Sequence, residues 1–258
     1  MKSPNMSIAE RHKFILDRLQ REGYVSVAEL SKEMEVTMAT VRKDLKILEG
    51  KGLLFRTHGS ATPLYPYVND RPVNEKELVF VEEKRAIAKK AAEFLSENEA
   101  IIIGSGTTVV AFAQAIPKNL PLTVLTGAMN VTMALLDSSD IEIVQLGGAV
   151  RKSSSSVVGH YAEEMIKNFA CSKLFLSVDG ISLDYGLTTS NMMEAHLNNQ
   201  MIRSVQRTIV LVDSSKFGKK GFGKICGLED IHTIITDKGL SGHYINKLEE
   251  KGIEVVVV

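Results

Sequence analysis

From residue 100 to the C-terminus, short apolar runs alternate with segments in which apolar residues have helical spacing. The apolar runs are four to six residues long and lie at 100–103, 122–125, 141–146, 174–178, 208–212, 232–235 and 253–258. The helical segments lie near 107–116, 129–136, 159–169, 191–204 and 241–251. Short β-rich runs separated by helices predict an α/β domain with a mainly parallel sheet that is covered on both faces.

The first 50 residues have a different pattern, with three helical segments that each follow a start signal. Ser7 and Glu10 form a Ser-x-x-Glu capping box, and Ser26 and Glu29 form a second one. Thr37 is placed to cap the third helix, which is predicted to end near residue 49. The second helix is expected to bury Ala28, Leu30 and Met34, and the third to bury Val41, Leu45 and Leu48.

The outer side of the third helix begins with small, hydroxyl and basic residues. Gly50-Lys51-Gly52 ends this helix, and residues 53–59 predict a short hairpin with basic residues. Three helices and a basic wing are typical of a winged helix-turn-helix domain, so we expect binding to double-stranded operator DNA. The residues expected to contact DNA are Ser26, Thr37, Met38, Ala39, Thr40, Arg42, Lys43, Arg56 and His58.

A proline-rich segment separates the two patterns. Residues 62–72 hold three of the six prolines of the chain and have little periodicity. We therefore predict a DNA-binding domain over 1–62, a linker over 63–74 and a second domain over 75–258. The second domain is predicted to begin with one helix at 75–98.

The charge distribution agrees in sign with DNA binding by the first domain. Residues 1–62 contain eleven Lys and Arg against eight Asp and Glu, a difference of +3. The whole chain balances 31 against 31, so the remainder carries 20 against 23, a difference of −3. A basic first domain therefore precedes an acidic second one.

Composition excludes several other classes of protein. With 44% hydrophobic and 24% charged residues, the chain has the composition of a globular protein. It lacks an uncharged apolar run of about 18 residues and a secretory apolar core near its start, so we expect a cytoplasmic protein with no membrane partner. Cys171 and Cys226 are isolated and are expected to be reduced thiols. The six histidines lack metal-ligand spacing, so we expect no metal and no cofactor.

Glycine, hydroxyl or charged residues follow five successive apolar runs. Ligands of open α/β sheets bind beyond the carboxyl ends of the strands, so these residues are expected to line one polar, phosphate-sized pocket. The segment 104–108 precedes a helix, whose N-terminus offers free N–H groups to an anion. The expected lining residues at these strand ends are Ser105, Gly106, Thr107, Thr108, Thr126, Gly147, Gly148, Arg151, Asp179 and Lys216.

The ordered motifs of the chain resemble those of DeoR-family bacterial transcriptional repressors over nearly its whole length. The matching motifs are VSVAELSKEMEV at 25–36, TVRKDLKILEGKGLLFRTHGSA at 40–61, SGTT at 105–108, LGGAVR at 146–151, DGI at 179–181, GLTT at 186–189, EA at 194–195 and DSSKFG at 213–218.

This resemblance implies a fold for the second domain, a function and an assembly. The second domain would share its fold with ribose-5-phosphate isomerase and glucosamine-6-phosphate deaminase, and would sense a phosphorylated sugar or a related metabolite. The protein would repress an operon for sugar uptake or catabolism, and would form a homodimer or homotetramer. By position, the segment 105–108 would hold the phosphate. The residues implied around the sugar are Gly147, Gly148, Asp179, Glu194 and Lys216.

Two departures from the family pattern lie near the expected pocket. Thr126 is followed by Gly127-Ala128, where Asn-Ser is common, and Asn198 or Asn199 stands where a basic residue is frequent. These departures are compatible with an effector that differs in shape or charge from the commonest effectors of the family.

Two other functions are compatible with the same residues. The chain could be a sugar-phosphate isomerase or deaminase, in which Asp179, Glu194 and Lys216 supply an acid, a base and an electrophile. It could also be a DNA-binding architectural protein whose second domain only oligomerises. The first of these has no use for a DNA-reading domain, and the second leaves the polar strand ends unexplained.

Overall fold

The computed structural model describes residues 6–22, 24–51, 53–57, 59–63 and 72–258. The first part of the chain forms the predicted winged helix-turn-helix domain. Its elements are α1 (Ile8–Glu22), β1 (Val25–Ser26), α2 (Val27–Glu33), α3 (Met38–Gly50), β2 (Leu54–Thr57) and β3 (Ser60–Pro63). The three strands form an antiparallel sheet in the order β1-β3-β2, so the wing hairpin is tied to the segment that leads into α2.

The predicted start signals cap all three helices. At α1 the Glu10 amide donates to Ser7 Oγ at 3.3 Å and the Ser7 amide donates to Glu10 Oε2 at 2.8 Å, which completes a capping box. Ser26 Oγ accepts from the Glu29 amide at 3.1 Å, and Thr37 Oγ1 accepts from the Thr40 amide at 3.2 Å. The helix boundaries are therefore set by local chemistry.

The core of this domain follows the predicted stripe with one exception. Val41, Leu45 and Leu48 are buried, as expected. In α2, however, Ala28 is exposed and Val27 is buried in its place. The helix begins at Val27, so the buried face runs from the first residue at i, i+3 and i+7.

A buried carboxylate joins α1 to α3. Asp44 is 2% exposed and lies on α3. Its oxygens accept from Arg11 Nε at 2.7 Å and from Arg11 Nη2 at 3.2 Å, and His12 Nε2 lies 3.3 Å away. The hydrogen bond to Asp44 raises the pKa of Arg11. This pair fixes the orientation of α3 against α1.

The second part of the chain, residues 72–258, contains nineteen α-helices and β-strands, which fall along the chain into a first group of eight and a second group of eleven. The first group is α4 (Val73–Glu77), α5 (Val81–Ala92), β4 (Glu99–Ile103), α6 (Thr107–Ala115), β5 (Leu122–Thr126), α7 (Met129–Leu135), β6 (Ile141–Gln145) and β7 (Ala149–Arg151). The second group is β8 (Ser156–Val158), α8 (His160–Ile166), β9 (Cys171–Leu176), β10 (Gly180–Ser182), β11 (Gly186–Thr189), α9 (Met192–Arg203), β12 (Val205–Leu211), β13 (Gly223–Cys226), β14 (Thr233–Thr236), α10 (Gly242–Glu249) and β15 (Glu254–Val257).

Seven strands form one parallel sheet in the order β15-β14-β12-β9-β4-β5-β6. All seven predicted strands are present, which confirms the predicted sheet. The order reverses between β4 and β9, and this reversal is the position at which doubly wound sheets bind ligands. One apolar cluster includes residues of α5, α6 and α7, and a second includes residues of α8, α9 and α10. The sheet is therefore covered on both faces.

The single helix predicted at 75–98 is wrong, because the chain breaks it into α4 and α5. Phe80 adopts a left-handed conformation with φ of 56° between the two helices. The buried Lys84 ammonium donates to the carbonyl oxygens of Lys76 and Val79, so those carbonyls are not available to a continuous helix.

Two small sheets were not predicted. β7 and β8 form an antiparallel ribbon over residues 149–158, and β10, β11 and β13 form a three-stranded antiparallel sheet. His58 and residues 64–71, which make up most of the predicted linker at 63–74, lie outside the described residues. The end of that predicted linker overlaps α4, which begins at Val73. Within the described part of the chain, no helix has the length and apolarity needed to cross a membrane.

Candidate functional site

A polar cleft opens where the sheet order reverses, at the carboxyl ends of β4 and β9. The cleft is open, and its volume is about 500 Å³ when the space at its mouth is included. Eight of the residues predicted from the sequence line it: Ser105, Gly106, Thr107, Thr108, Arg151, Asp179, Glu194 and Lys216. The structure adds Val73, Lys76, Ser153, Ser154, Ser177, Val178 and Thr189.

The floor of the cleft is the turn from β4 into α6. Gly106 is the N-cap of α6 with φ of +124°, and a Cβ there would lie 3.0 Å from the Cβ of Ser177, the residue after β9. The backbone conformation favours glycine, and the contact with Ser177 leaves little space for a side chain. No side chain caps α6, so its first N–H groups face the cleft beside the hydroxyl residues Thr107 and Thr108. This arrangement fits an anion such as phosphate.

Asp179 lies beyond the end of β9 and is held by three donors. Its Oδ1 accepts from Lys76 Nζ at 2.7 Å, and its Oδ2 accepts from the Ser190 amide at 3.0 Å and from Thr189 Oγ1 at 3.1 Å. Burial alone would raise the pKa of Asp179, but Lys76, Lys216 and the Ser190 amide together hold that pKa below its ordinary value. Asp179 is therefore an ionised acceptor.

Glu194 is the second carboxylate of the cleft, and the β7–β8 ribbon supplies its partners. It lies in the first turn of α9, where Asn191 Oδ1 accepts from the Glu194 amide at 3.2 Å. Arg151 Nη1 and Ser156 Oγ each lie 3.3 Å from Glu194 Oε1. The Thr189 hydroxyl is 3.4 Å from Glu194 Oε2, so it lies between the two carboxylates.

Lys216 completes the cleft from a single 3-10 turn, Ser214–Lys216, that follows β12. Asp213 caps this turn by accepting from the Ser215 amide at 3.1 Å, and Asp237 accepts from the Ser214 amide at 2.6 Å. Within the described residues Lys216 has no carboxylate in ion-pair distance. Its ammonium is therefore the cation of the cleft that is available to an added anion.

The structure does not place Thr126, Gly147 and Gly148 among the lining residues, contrary to the prediction. Thr126 is fully buried, and its hydroxyl donates to the Ile103 carbonyl at 2.7 Å, so it joins β5 to β4. The two glycines turn the chain into the β7–β8 ribbon, and Gly148 has φ of 152°. The ribbon then covers the end of β5, because the Val157 amide donates to the Gly127 carbonyl at 2.8 Å.

Lys76 is the main residue that the sequence reasoning missed. It lies in α4, before the first strand of the parallel sheet, and therefore not at the end of any predicted strand. The ribbon serines were missed for a related reason, since they lie in an antiparallel excursion from the parallel sheet. A lysine shortly after a proline-rich linker is a weak signal, and only the fold brings Lys76 to Asp179.

The predicted DNA-contacting surface is exposed on α3. Met38, Ala39, Arg42 and Lys43 are exposed, whereas Thr37 and Thr40 take part in the cap at the start of the helix. Arg56 is different, because its Nε donates to Glu49 Oε2 at 2.7 Å and the guanidinium is thereby held against α3. Ser26 likewise serves as the cap of α2.

Both parts of the chain match known protein families. The DeoR-like helix-turn-helix domain matches residues 11–64, and the DeoR C-terminal sensor domain matches residues 79–238. A putative aga operon transcriptional repressor from Escherichia coli O157:H7 is 36% identical over 97% of this chain and 94% of its own length. The chain belongs to the DeoR family of transcriptional regulators.

Other relatives of this DeoR-family regulator agree. The transcriptional regulator GlpR from Haloferax volcanii is 32% identical over 96% of this chain and 97% of its own length. The lactose phosphotransferase system repressor from Staphylococcus epidermidis is 31% identical over 90% of both chains. Both similarities extend over at least 90% of this chain, so the chain is a DNA-binding regulator of transcription.

Solved structures resemble the chain more distantly. A ribose 5-phosphate isomerase A from Neisseria gonorrhoeae has a TM-score of 0.37 and 19% identity over 52% of both chains. A probable sor operon regulator from Shigella flexneri has a TM-score of 0.43 and 9% identity over 70% of this chain and 91% of its own. Scores this low carry no argument about the ligand of the cleft.

Proposed function

We propose that this regulator represses an operon for sugar uptake or catabolism, and that a phosphorylated sugar bound in the cleft releases it from operator DNA. The observation that carries the proposal is the cleft itself. It combines an uncapped helix N-terminus and a lysine that has no carboxylate in ion-pair distance with two ordered carboxylates. An anionic group that carries several hydroxyls matches this combination of donors and acceptors.

The charge of the cleft supports this class of effector. Three cations, Lys76, Arg151 and Lys216, face two carboxylates, Asp179 and Glu194, which leaves a net charge of +1. Lys76 pairs with Asp179 and Arg151 pairs with Glu194. The surplus therefore lies at Lys216, beside the turn at 105–108 where a phosphate would bind. The paired carboxylates keep acceptor positions for neutral hydroxyls.

The proposal also covers DNA and assembly. The exposed start of α3, with Arg42 and Lys43, would enter the major groove of the operator. We propose a homo-oligomer, either a homodimer or a homotetramer, joined through the domain at 75–258, because repeated operator half-sites match symmetric assemblies. The relatives named for the aga operon and for lactose uptake support carbohydrate control.

The experiment measures release from DNA. The full-length protein is titrated onto the DNA upstream of its own gene, and a panel of sugar phosphates is then tested for release by fluorescence anisotropy. Lys216→Ala removes the unpaired cation, and Thr107→Val removes a hydroxyl at nearly constant volume. Both variants should bind DNA normally and need at least about tenfold more effector for release, since one charge-assisted hydrogen bond is lost.

The control is Lys238→Ala, which removes an exposed lysine after β14 and leaves the cleft intact. It should release DNA at the wild-type effector concentration. Unchanged release by both cleft variants would refute the assigned site. Each sugar phosphate that binds is also incubated with the protein and assayed for conversion, and turnover would favour the isomerase or deaminase alternative.

A further inference from the structure

Lys84 is a buried lysine whose hydrogen-bond partners are all carbonyl oxygens. It lies on α5 and is 6% exposed. Its Nζ donates to the Lys76 carbonyl at 2.5 Å and to the Val79 carbonyl at 2.6 Å. Burial lowers the pKa of Lys84, and the nearby Asp213 opposes that effect. A buried ammonium is costly unless it is hydrogen-bonded, so this position requires an explanation.

One of the two carbonyls that Lys84 binds belongs to Lys76 in the last turn of α4, and the other belongs to Val79 in the turn that follows the helix. The last carbonyls of a helix have no partner within the helix, and a cation near them is stabilising. α4 has only five residues, Val73–Glu77, which is far below the length at which a helix is stable alone. No residue of α4 is buried, and the residues that follow it, Leu78 and Val79, are exposed. Apolar packing therefore does not hold α4 in place.

Polar contacts hold α4 instead, at three points. The Val73 amide donates to the Ser153 carbonyl at 2.8 Å at its start. The Lys76 side chain reaches Asp179 in the cleft, and Lys84 binds the carbonyls at its end. Two of these contacts involve residues that line the cleft, and the third comes from the helix behind it.

α4 lies between the DNA-binding domain and the rest of the second domain. It begins directly after the segment that leads from the DNA-binding domain, and it lies between the two family matches at 11–64 and 79–238. Val73 and Lys76 line the same cleft as the turn at 105–108. The first described element after the DNA-binding domain therefore contributes residues to the lining of the cleft.

We propose that Lys84 is a positioning residue that fixes α4 as a strap across the effector cleft, so that occupancy of the cleft is transmitted to the segment leading to the DNA-binding domain. The inference rests on the proposed function, because it takes the cleft to be the effector site. An effector that binds between the turn at 105–108 and Lys76 makes contacts with the front of α4, while Lys84 holds its end. Binding then reduces the opening of α4.

Hydrogen exchange in the full-length protein without any ligand tests whether Lys84 fixes α4. Lys84→Met should speed exchange over residues 73–80 by about tenfold, the factor expected for one lost hydrogen bond to a charged group. Lys89→Met is the matched control, since it removes an exposed lysine from the same helix and should leave exchange unchanged. Equal exchange over 73–80 in both variants would overturn the proposal that Lys84 fixes α4. If Lys84→Met does not fold, Lys84→Gln keeps N–H donors on a neutral and shorter side chain and should give a smaller increase at the same residues.

Millimolar inorganic phosphate tests the transmission. In the wild type it should slow exchange over 105–109 and also over 73–80, whereas in Lys84→Met it should slow exchange over 105–109 alone. Protection of 105–109 with no change over 73–80 in the wild type would overturn the transmission. No protection of 105–109 in either protein would count against the proposed anion site. The comparison of Lys84→Met with Lys89→Met in the absence of ligand would still decide whether Lys84 fixes α4.

Discussion

Removing the Asp44 carboxylate is expected to destabilise the DNA-binding domain and leave the second domain unchanged. Asp44 is 2% exposed, and it accepts two hydrogen bonds from Arg11. Asp44→Ala would leave the Arg11 guanidinium with a hydrogen bond to the Met6 carbonyl, 2.9 Å away, and without its carboxylate partner. The perturbation therefore leaves a largely buried charge without its counter-charge.

The burial of the two partners sets the magnitude. Removing one partner of a fully buried pair costs about 3–5 kcal/mol, whereas an exposed pair contributes about 0–1 kcal/mol. The Asp44 side chain is 3% exposed and the Arg11 side chain is 12% exposed, so Arg11 keeps some contact with water. We expect the free energy of unfolding of this domain to fall by an intermediate amount, about 2 kcal/mol. This loss corresponds to an about thirtyfold larger population of the opened domain.

Hydrogen exchange of the amides in α1 and α3 measures this opening separately from the second domain. A double-mutant cycle adds Arg11→Met and the pair Asp44→Ala with Arg11→Met, which should lose less than the sum of the two single changes. The control pair Arg85 and Glu82 is exposed on α5, and Arg85→Met should change nothing measurable. Additive single effects at Asp44 and Arg11 would refute the reasoning.

The remaining predictions concern DNA, pH, thiols and assembly. Arg42→Ala should weaken operator binding about tenfold at fixed salt, as for one lost Arg–base contact, while Lys32→Ala on α2 should not; equal binding by both variants would refute the placement of α3. Because the pKa of Asp179 is lowered in the folded state, the stability it contributes is complete above the ordinary value of 3.8 and is lost as the pH falls through the lower folded value; Asp179→Asn should flatten that part of a stability–pH curve, and an unaltered curve would contradict the ion pair. Burial raises the pKa of Cys171, and raises that of Cys226 to about 12, so both thiols should resist a thiol reagent at pH 8 until the protein is unfolded. Sedimentation at micromolar concentration should show a dimer or tetramer, and a monomer alone would count against the proposed assembly.

The sequence predicted the elements whose formation depends on local chemistry. The caps at Ser7, Ser26 and Thr37 each satisfy helix N–H groups within three residues, so their effect is readable without the fold. The seven apolar runs became the seven parallel strands for a similar reason, because a strand that is buried on both faces needs an apolar residue at nearly every position. Seven of the residues that line the cleft follow from the same strand ends, and Glu194 follows from the family resemblance.

The errors arose where a distant contact decides the local conformation. The break between α4 and α5 depends on Lys84, whose ammonium binds carbonyls five and eight residues earlier in the chain. Thr126 satisfies every sign of a strand-end ligand, yet its hydroxyl is used by the Ile103 carbonyl of the neighbouring strand. Lys76 reaches Asp179 across 103 residues of chain. Periodicity carries no information about pairings of this kind.

The strand order also determines the order in which the two domains can fold during synthesis on the ribosome. The helices, strands and apolar core of the winged domain all lie within the first 63 residues. The central strand β4, by contrast, must wait for β9, since Ile101 pairs with Lys173, 72 residues later. Contacts that are distant in sequence form slowly, and domains fold as they emerge from the N-terminus. The nascent chain therefore has a complete DNA-binding head while the β4 edge is still open. A message truncated between these points would yield a head that has no sensor to restrain it.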